Sequence, residues 1–105
     1  MGLQIEKEVQ ELTVILKLKG ILDISTTGTV TAILEDLQGI ELLIFDFTNL
    51  DFLDSTGIGA ILNAIHLSQE RGFTIRLHGV NGLINHILET VGLYQLLGAI
   101  QGEVM

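Results

Sequence analysis

The segment Leu42-Leu43-Ile44-Phe45-Asp46-Phe47 is an almost unbroken apolar run, and the hydrophobic period changes on both sides of it. Before it, Val30, Ile33, Leu34 and Leu37 fall on one helical face. After it, Ile58, Ile61, Leu62 and Ile65 recur at i, i+3, i+4 and i+7. A short apolar strand set between two amphipathic helices is the signature of a central strand, covered on both faces, in an α/β layer with a mixed sheet.

The flanking segments extend the alternation. Leu12 to Lys19 predicts a half-buried strand, and Gly20 to Asp23 predicts a turn. Ser25 is the expected N-cap of the first helix and Gly39 its terminator. Arg71-Gly72 closes the second helix, and Phe73 to Leu77 alternates as a strand. Asn81 caps a third helix with Ile84, Ile87, Leu88 and Val91 inward and Gly92 at its end. A short final strand is expected near Gly98 to Gln101. With 105 residues, nearly half of them apolar, the chain can hold one core without staples.

Composition excludes several functions. There is no cysteine, hence no disulfide, thiolate nucleophile or cysteine metal site. The formal charge is −8, and the only basic residues are Lys7, Lys17, Lys19, Arg71 and Arg76, so no basic stripe is available for nucleic acid. An acidic balance suits solubility and a basic protein partner. Met1 to Val9 has neither a basic start nor a long apolar core, so no signal peptide is expected. No apolar stretch approaches the ~20 residues that cross a bilayer. A cytoplasmic protein without membrane insertion is the expectation. His66, His78 and His86 lack ligand spacing, and neither a metal nor a cofactor is implied.

The motif that carries chemistry is Asp54-Ser55-Thr56-Gly57, placed between the apolar run and the second helix. A serine there sits at the first turn of a helix. It can cap backbone N–H groups, worth about 1 kcal/mol, or accept a phosphate, and the residues alone leave both readings open. Thr56 is a second acceptor candidate. Asp23 reads equally as a turn residue or a site residue. Gly57 and Gly59 permit close backbone approach, but no lysine follows to complete a phosphate-cradling loop.

The run from Leu43 to Gly59, containing Asp54-Ser55-Thr56-Gly57, resembles the signature of STAS domains of the anti-sigma factor antagonist type. Gly20-Ile21-Leu22-Asp23 resembles that family's turn before its first helix. Gly79-Val80-Asn81, followed by Leu88-Glu89-Thr90-Val91-Gly92-Leu93, resembles its third-helix region. The resemblance spans nearly the whole chain and implies one STAS domain over 1–105, a small mixed sheet with helices packed on it. It implies a partner, an anti-sigma factor that is also a serine kinase, and partner switching through phosphorylation. By position Ser55 is the phosphoacceptor, flanked by Asp23, Asp54, Thr56 and Gly57. A stressosome-type scaffold and the STAS subunit of a membrane lipid transporter are the alternatives within the family.

Phosphate carries about −1.5 to −2 charges and three strong acceptor oxygens. A helix N-terminus offers it free N–H groups and the positive end of the dipole. Phosphorylation is therefore expected to leave the second helix intact and to act at the partner's surface, where like charge is costly to desolvate.

Enzyme readings fit less well. Asp-Ser-Thr-Gly has one residue more than the Asp-Thr-Gly of aspartic proteases, and it opens a helix. Asp46-Phe47-Thr48 lacks the second aspartate of haloacid dehalogenases. No lysine follows Lys19, as a receiver domain would want, and Gly-x-Ser-x-Gly is absent. An aspartic-type hydrolase is the alternative from another class, and catalysis is not expected.

Two departures from the family stand out. Glu103, Val104 and Met105 are too few to build the fourth helix many members carry, so that helix is expected to be short or absent. Apolar surface left uncovered would then favour self-association, with Leu67 as a candidate partner or dimer contact. Proline is absent throughout, for which there is no physical account.

Overall fold

The computed structural model describes residues 2–101. In chain order the elements are β1 (Leu3–Gln10), β2 (Thr13–Leu22), α1 (Thr27–Glu35), β3 (Leu42–Leu53), α2 (Ser55–Arg71), β4 (Thr74–His78), α3 (Gly82–Thr90) and α4 (Leu93–Gln101). The strands form one sheet in the order β1-β2-β3-β4. β1 and β2 pair antiparallel, whereas β2–β3 and β3–β4 pair parallel across α1 and α2. This is an α/β fold, a four-stranded mixed sheet with four helices.

Period 2 along the strands sends Val14, Leu16 and Leu18, Leu43, Phe45 and Phe47, and Ile75 and Leu77 to one face. Val30 and Leu34 of α1, Ile61 and Ile65 of α2, Ile84 and Leu88 of α3, and Leu93 and Leu97 of α4 complete the same core. β3 is central, as its apolar run predicts, but only one of its faces is covered. Leu42, Ile44 and Asp46 are half-buried on the open face. In register, Ile44 stands between Ile15 and Arg76, and Leu42 between Thr13 and Thr74. Neighbouring side chains shelter the run where a second helical layer was expected.

Several boundaries differ from the sequence expectation. β2 continues through Gly20, where the predicted turn was placed. Gly20 has φ 106, and a Cβ there would meet the Gly2 carbonyl oxygen at 2.3 Å, so the glycine admits β1 beside an irregular stretch of the ladder. The turn begins only at Asp23. β1 is not legible in the sequence, because a lysine interrupts its apolar alternation and its apolar side chains are only half-buried or exposed.

Ser25 does not cap α1. Thr26 occupies the cap position without a side-chain cap bond, and Ser25 is tied to Asp23. α1 ends at Glu35, before Gly39. The carbonyls at and just beyond its C-terminus find a donor on another helix, where Arg71 Nη1 donates to the Glu35 oxygen at 3.2 Å and to the Leu37 oxygen at 2.7 Å. Asn81 does cap α3, its Oδ1 accepting from the Ile84 N–H at 2.9 Å. Gly72 ends α2 in the left-handed region, φ 74. Val91, expected inward, lies just past the end of α3 and is exposed.

The largest correction falls on the last segment. Gly98 to Gln101 is not a strand but the end of α4, a fourth helix built by residues that precede Glu103. Leu93 and Leu97 stand one turn apart and are buried, with Tyr94 and Ile100 packed alongside. Leu67, the proposed partner contact, is likewise half-buried against the core. Glu103, Val104 and Met105 lie outside the described residues.

α4 also finishes the sheet. Gln101 Oε1 accepts from the Ile75 N–H at 2.7 Å, and its Nε2 donates to the Ile75 carbonyl at 3.1 Å. The outer edge of β4 thus meets a side-chain amide where a further strand would lie. No described helix is long and apolar enough to cross a membrane by itself.

Candidate functional site

The parallel strands β2 and β3 end together, Leu22 opposite Leu53, and the motif emerges at that end of the sheet. Asp54 is held against β2, its N–H donating to the Leu22 carbonyl at 3.2 Å. Its backbone is extended, φ −103 and ψ −172, and its Oδ1 accepts from the Gly57 N–H at 2.9 Å. Asp54, not Ser55, is therefore the N-cap of α2. An aspartate cap also complements the positive end of the helix dipole. Replacing Asp54 by Ala should cost about 1 kcal/mol while Asn is nearly neutral; urea unfolding of the two variants is the check, and equal loss in both would mean that charge, not capping, dominates.

With the cap assigned to Asp54, the Ser55 hydroxyl is released from that duty. Ser55 is the first residue of α2 and is exposed, while Thr56 is half-buried. The Ile58 N–H is bound to the Asp54 carbonyl at 2.9 Å. Among the described residues the N–H groups of Ser55 and Thr56 have no partner. Two open backbone donors thus sit beside an exposed hydroxyl, the arrangement that receives anions at a helix start.

Gly57 is the buried member of the motif. A Cβ at this position would lie 2.5 Å from the Leu22 carbonyl oxygen, 3.0 Å from Leu22 Cγ and 3.2 Å from Leu53 Cβ. The first turn of α2 is thereby seated directly on the ends of β2 and β3, and the same contact brings the Asp23 loop beside the motif. Gly59, by contrast, has open space around it.

Asp23 organises the loop that follows β2. Its Oδ1 accepts from the Ser25 N–H at 3.0 Å and from the Ser25 hydroxyl at 2.7 Å. Its own N–H donates to Thr26 Oγ1 at 2.9 Å, and the Thr26 hydroxyl lies 3.0 Å from the Ile21 carbonyl oxygen. The Ser25 hydroxyl is the main cause holding the Asp23 carboxyl below the usual carboxylate range, against the opposing effect of desolvation. Asp23 is thus a turn residue in its bonding, and it directly follows Leu22, whose carbonyl accepts the Asp54 N–H.

Other charged groups stand apart. Asp46 accepts from the N–H and hydroxyl of Thr48 on the open face; burial pushes its carboxyl up, and the Thr48 bonds together with the charges of His78 and Lys17 leave it lowered. His66, His78 and His86 are exposed on α2, β4 and α3. A groove of about 1160 Å³ runs between β4 and α4, and no residue of the motif lines it.

The fold and this helix entrance define a small α/β module, one sheet with helices on one side and a hydroxyl presented at its end. The chain belongs to the STAS domain family, which it matches over residues 4–104. It is 30% identical to the anti-sigma F factor antagonist of Paenibacillus polymyxa, over 99% of this chain and 92% of that one. The structure of the anti-sigma factor antagonist SpoIIAA in its unphosphorylated form is similar, with a TM-score of 0.70 at 22% identity, covering 84% of this chain and 82% of that one. A sulfate transporter family protein from Wolinella succinogenes aligns with a TM-score of 0.77 at 20% identity, covering 89% and 77%. At such identities the two structures establish the fold alone.

Proposed function

We propose that this protein is an anti-sigma factor antagonist, a binding protein rather than an enzyme, comprising one STAS domain over 1–105. In its unphosphorylated form it binds an anti-sigma factor that is also a serine kinase, and phosphorylation of Ser55 ends that association. The observation that carries this reading is the division of labour at α2. Asp54 caps the helix through the Gly57 N–H, so the Ser55 hydroxyl is exposed and free for transfer. Full-length similarity to a named antagonist supports the partner class.

Asp54 and Asp23 shape the entrance, Thr56 contributes an open N–H, and Gly57 sets how closely the helix sits on the strands. The test is incubation with purified candidate anti-sigma factor kinases and ATP, read by intact mass. Wild type should gain one phosphate and Ser55→Ala none. Equal phosphate gain by both would remove Ser55 from the role.

A further inference from the structure

The surface around Ser55 carries apolar side chains that the fold does not use. Ile24 is 78% exposed, more than any other large hydrophobic among the described residues, and Phe52 is 44% exposed. Both lie at the end of the sheet where the motif emerges. Phe52 stands opposite Ile21 in register, and Ile24 follows two residues after Leu22, whose carbonyl receives the Asp54 N–H. Two residues of chain span at most about 7 Å, so Ile24 is held close to the start of α2.

Ile24 is also fixed in place. It sits inside the turn that Asp23 closes onto Ser25 and Thr26. An exposed, β-branched side chain on a bonded turn has little freedom left to lose on binding, which is what makes an efficient anchor. The two segments that meet here carry one sign of charge. Segments 22–27 and 50–59 contain Asp23, Asp51 and Asp54 and no lysine or arginine. An apolar knob carried on acidic segments is complementary to an apolar socket bordered by basic groups.

We infer that Ile24, supported by Phe52, is the apolar anchor through which the serine kinase docks before transferring phosphate to Ser55. The inference rests on the function proposed above and adds to it the residue that supplies docking affinity. The kinase face that receives it presents an apolar socket with a lysine or arginine rim. Because the anchor binds but does not react, it acts on association and leaves the chemical step alone.

The experiment measures Ser55 phosphorylation kinetics and affinity with the purified anti-sigma factor kinase, using wild type, Ile24→Ala, Ile24→Thr and Val9→Ala. Val9 is 60% exposed but lies at the far end of the sheet, paired with Val14, and serves as an apolar control. Thermal unfolding of each variant establishes that the fold is kept. Both Ile24 variants should raise KM and Kd about tenfold or more, with kcat little changed, while Val9→Ala behaves as wild type. Unchanged KM and Kd in folded Ile24 variants would overturn the anchor and leave the Ser55 assignment standing. A wild type that no candidate kinase phosphorylates overturns the Ser55 reading and the anchor with it.

Discussion

Gly57→Ala should destabilise the protein by about 3 kcal/mol, the upper part of the range for overpacking a tight site, whereas Gly59→Ala should stabilise it by up to about 1 kcal/mol. Both positions lie in α2 and both substitutions favour helix, so propensity predicts the same sign for each. Packing separates them. The added methyl at Gly57 would stand 2.5 Å from the Leu22 carbonyl oxygen, and that oxygen cannot retreat freely because it also accepts the Asp54 N–H. Movement of the helix start is equally constrained, since Asp54 holds the Gly57 N–H from the other side. At Gly59 nothing lies within 4 Å of the added atom. Urea midpoints of the two variants decide the matter, and similar values for both would mean that α2 is not clamped to β2 as described.

The second large effect concerns phosphorylated Ser55. Its affinity for the kinase partner should fall by about 100-fold or more, in line with several kcal/mol for like charges forced together at an interface, while the fold stays as it is. The open N–H groups of Ser55 and Thr56 and the helix dipole receive the phosphate locally. The added charge then stands among Asp23, Asp51 and Asp54 on the surface that has to be desolvated. Backbone chemical shifts should change around Asp23 and Asp54 to Ile58 and hardly elsewhere. Shifts spread through β4, α3 and α4 would instead point to a conformational switch.

Much of this arrangement was legible in the sequence, for identifiable reasons. Caps set by one residue's own chemistry are legible, Asn81 through its side-chain oxygen and Gly72 through its left-handed backbone. Ser25 was misread because its hydroxyl had a nearer partner in Asp23, and a competing side-chain bond is invisible to a cap pattern. The apolar run of β3 identified a central strand but not its open face, since half-burial among neighbouring side chains tolerates leucine and isoleucine as well as full burial does. α4 was lost because Gly98 and a short span obscured the one-turn spacing of Leu93 and Leu97. At the site, Asp54 to Gly57 is one continuous signal. The placement of Asp23 beside it depends on the β2–β3 register, and the exposure of Ile24 depends on a turn held by three side chains.

The amide of Gln101 on β4 bears on how this molecule lives at high concentration. A primary amide presents an N–H donor and a carbonyl acceptor side by side, so both backbone groups of Ile75 are satisfied as though a neighbouring chain were present. An open strand edge is a template for unwanted copies of itself. A single residue on the closing helix turns that template off at Ile75, so chain-to-chain stacking along β4 has to evict Gln101 first. For the binding role proposed above, having this other way of sticking already blocked is an advantage.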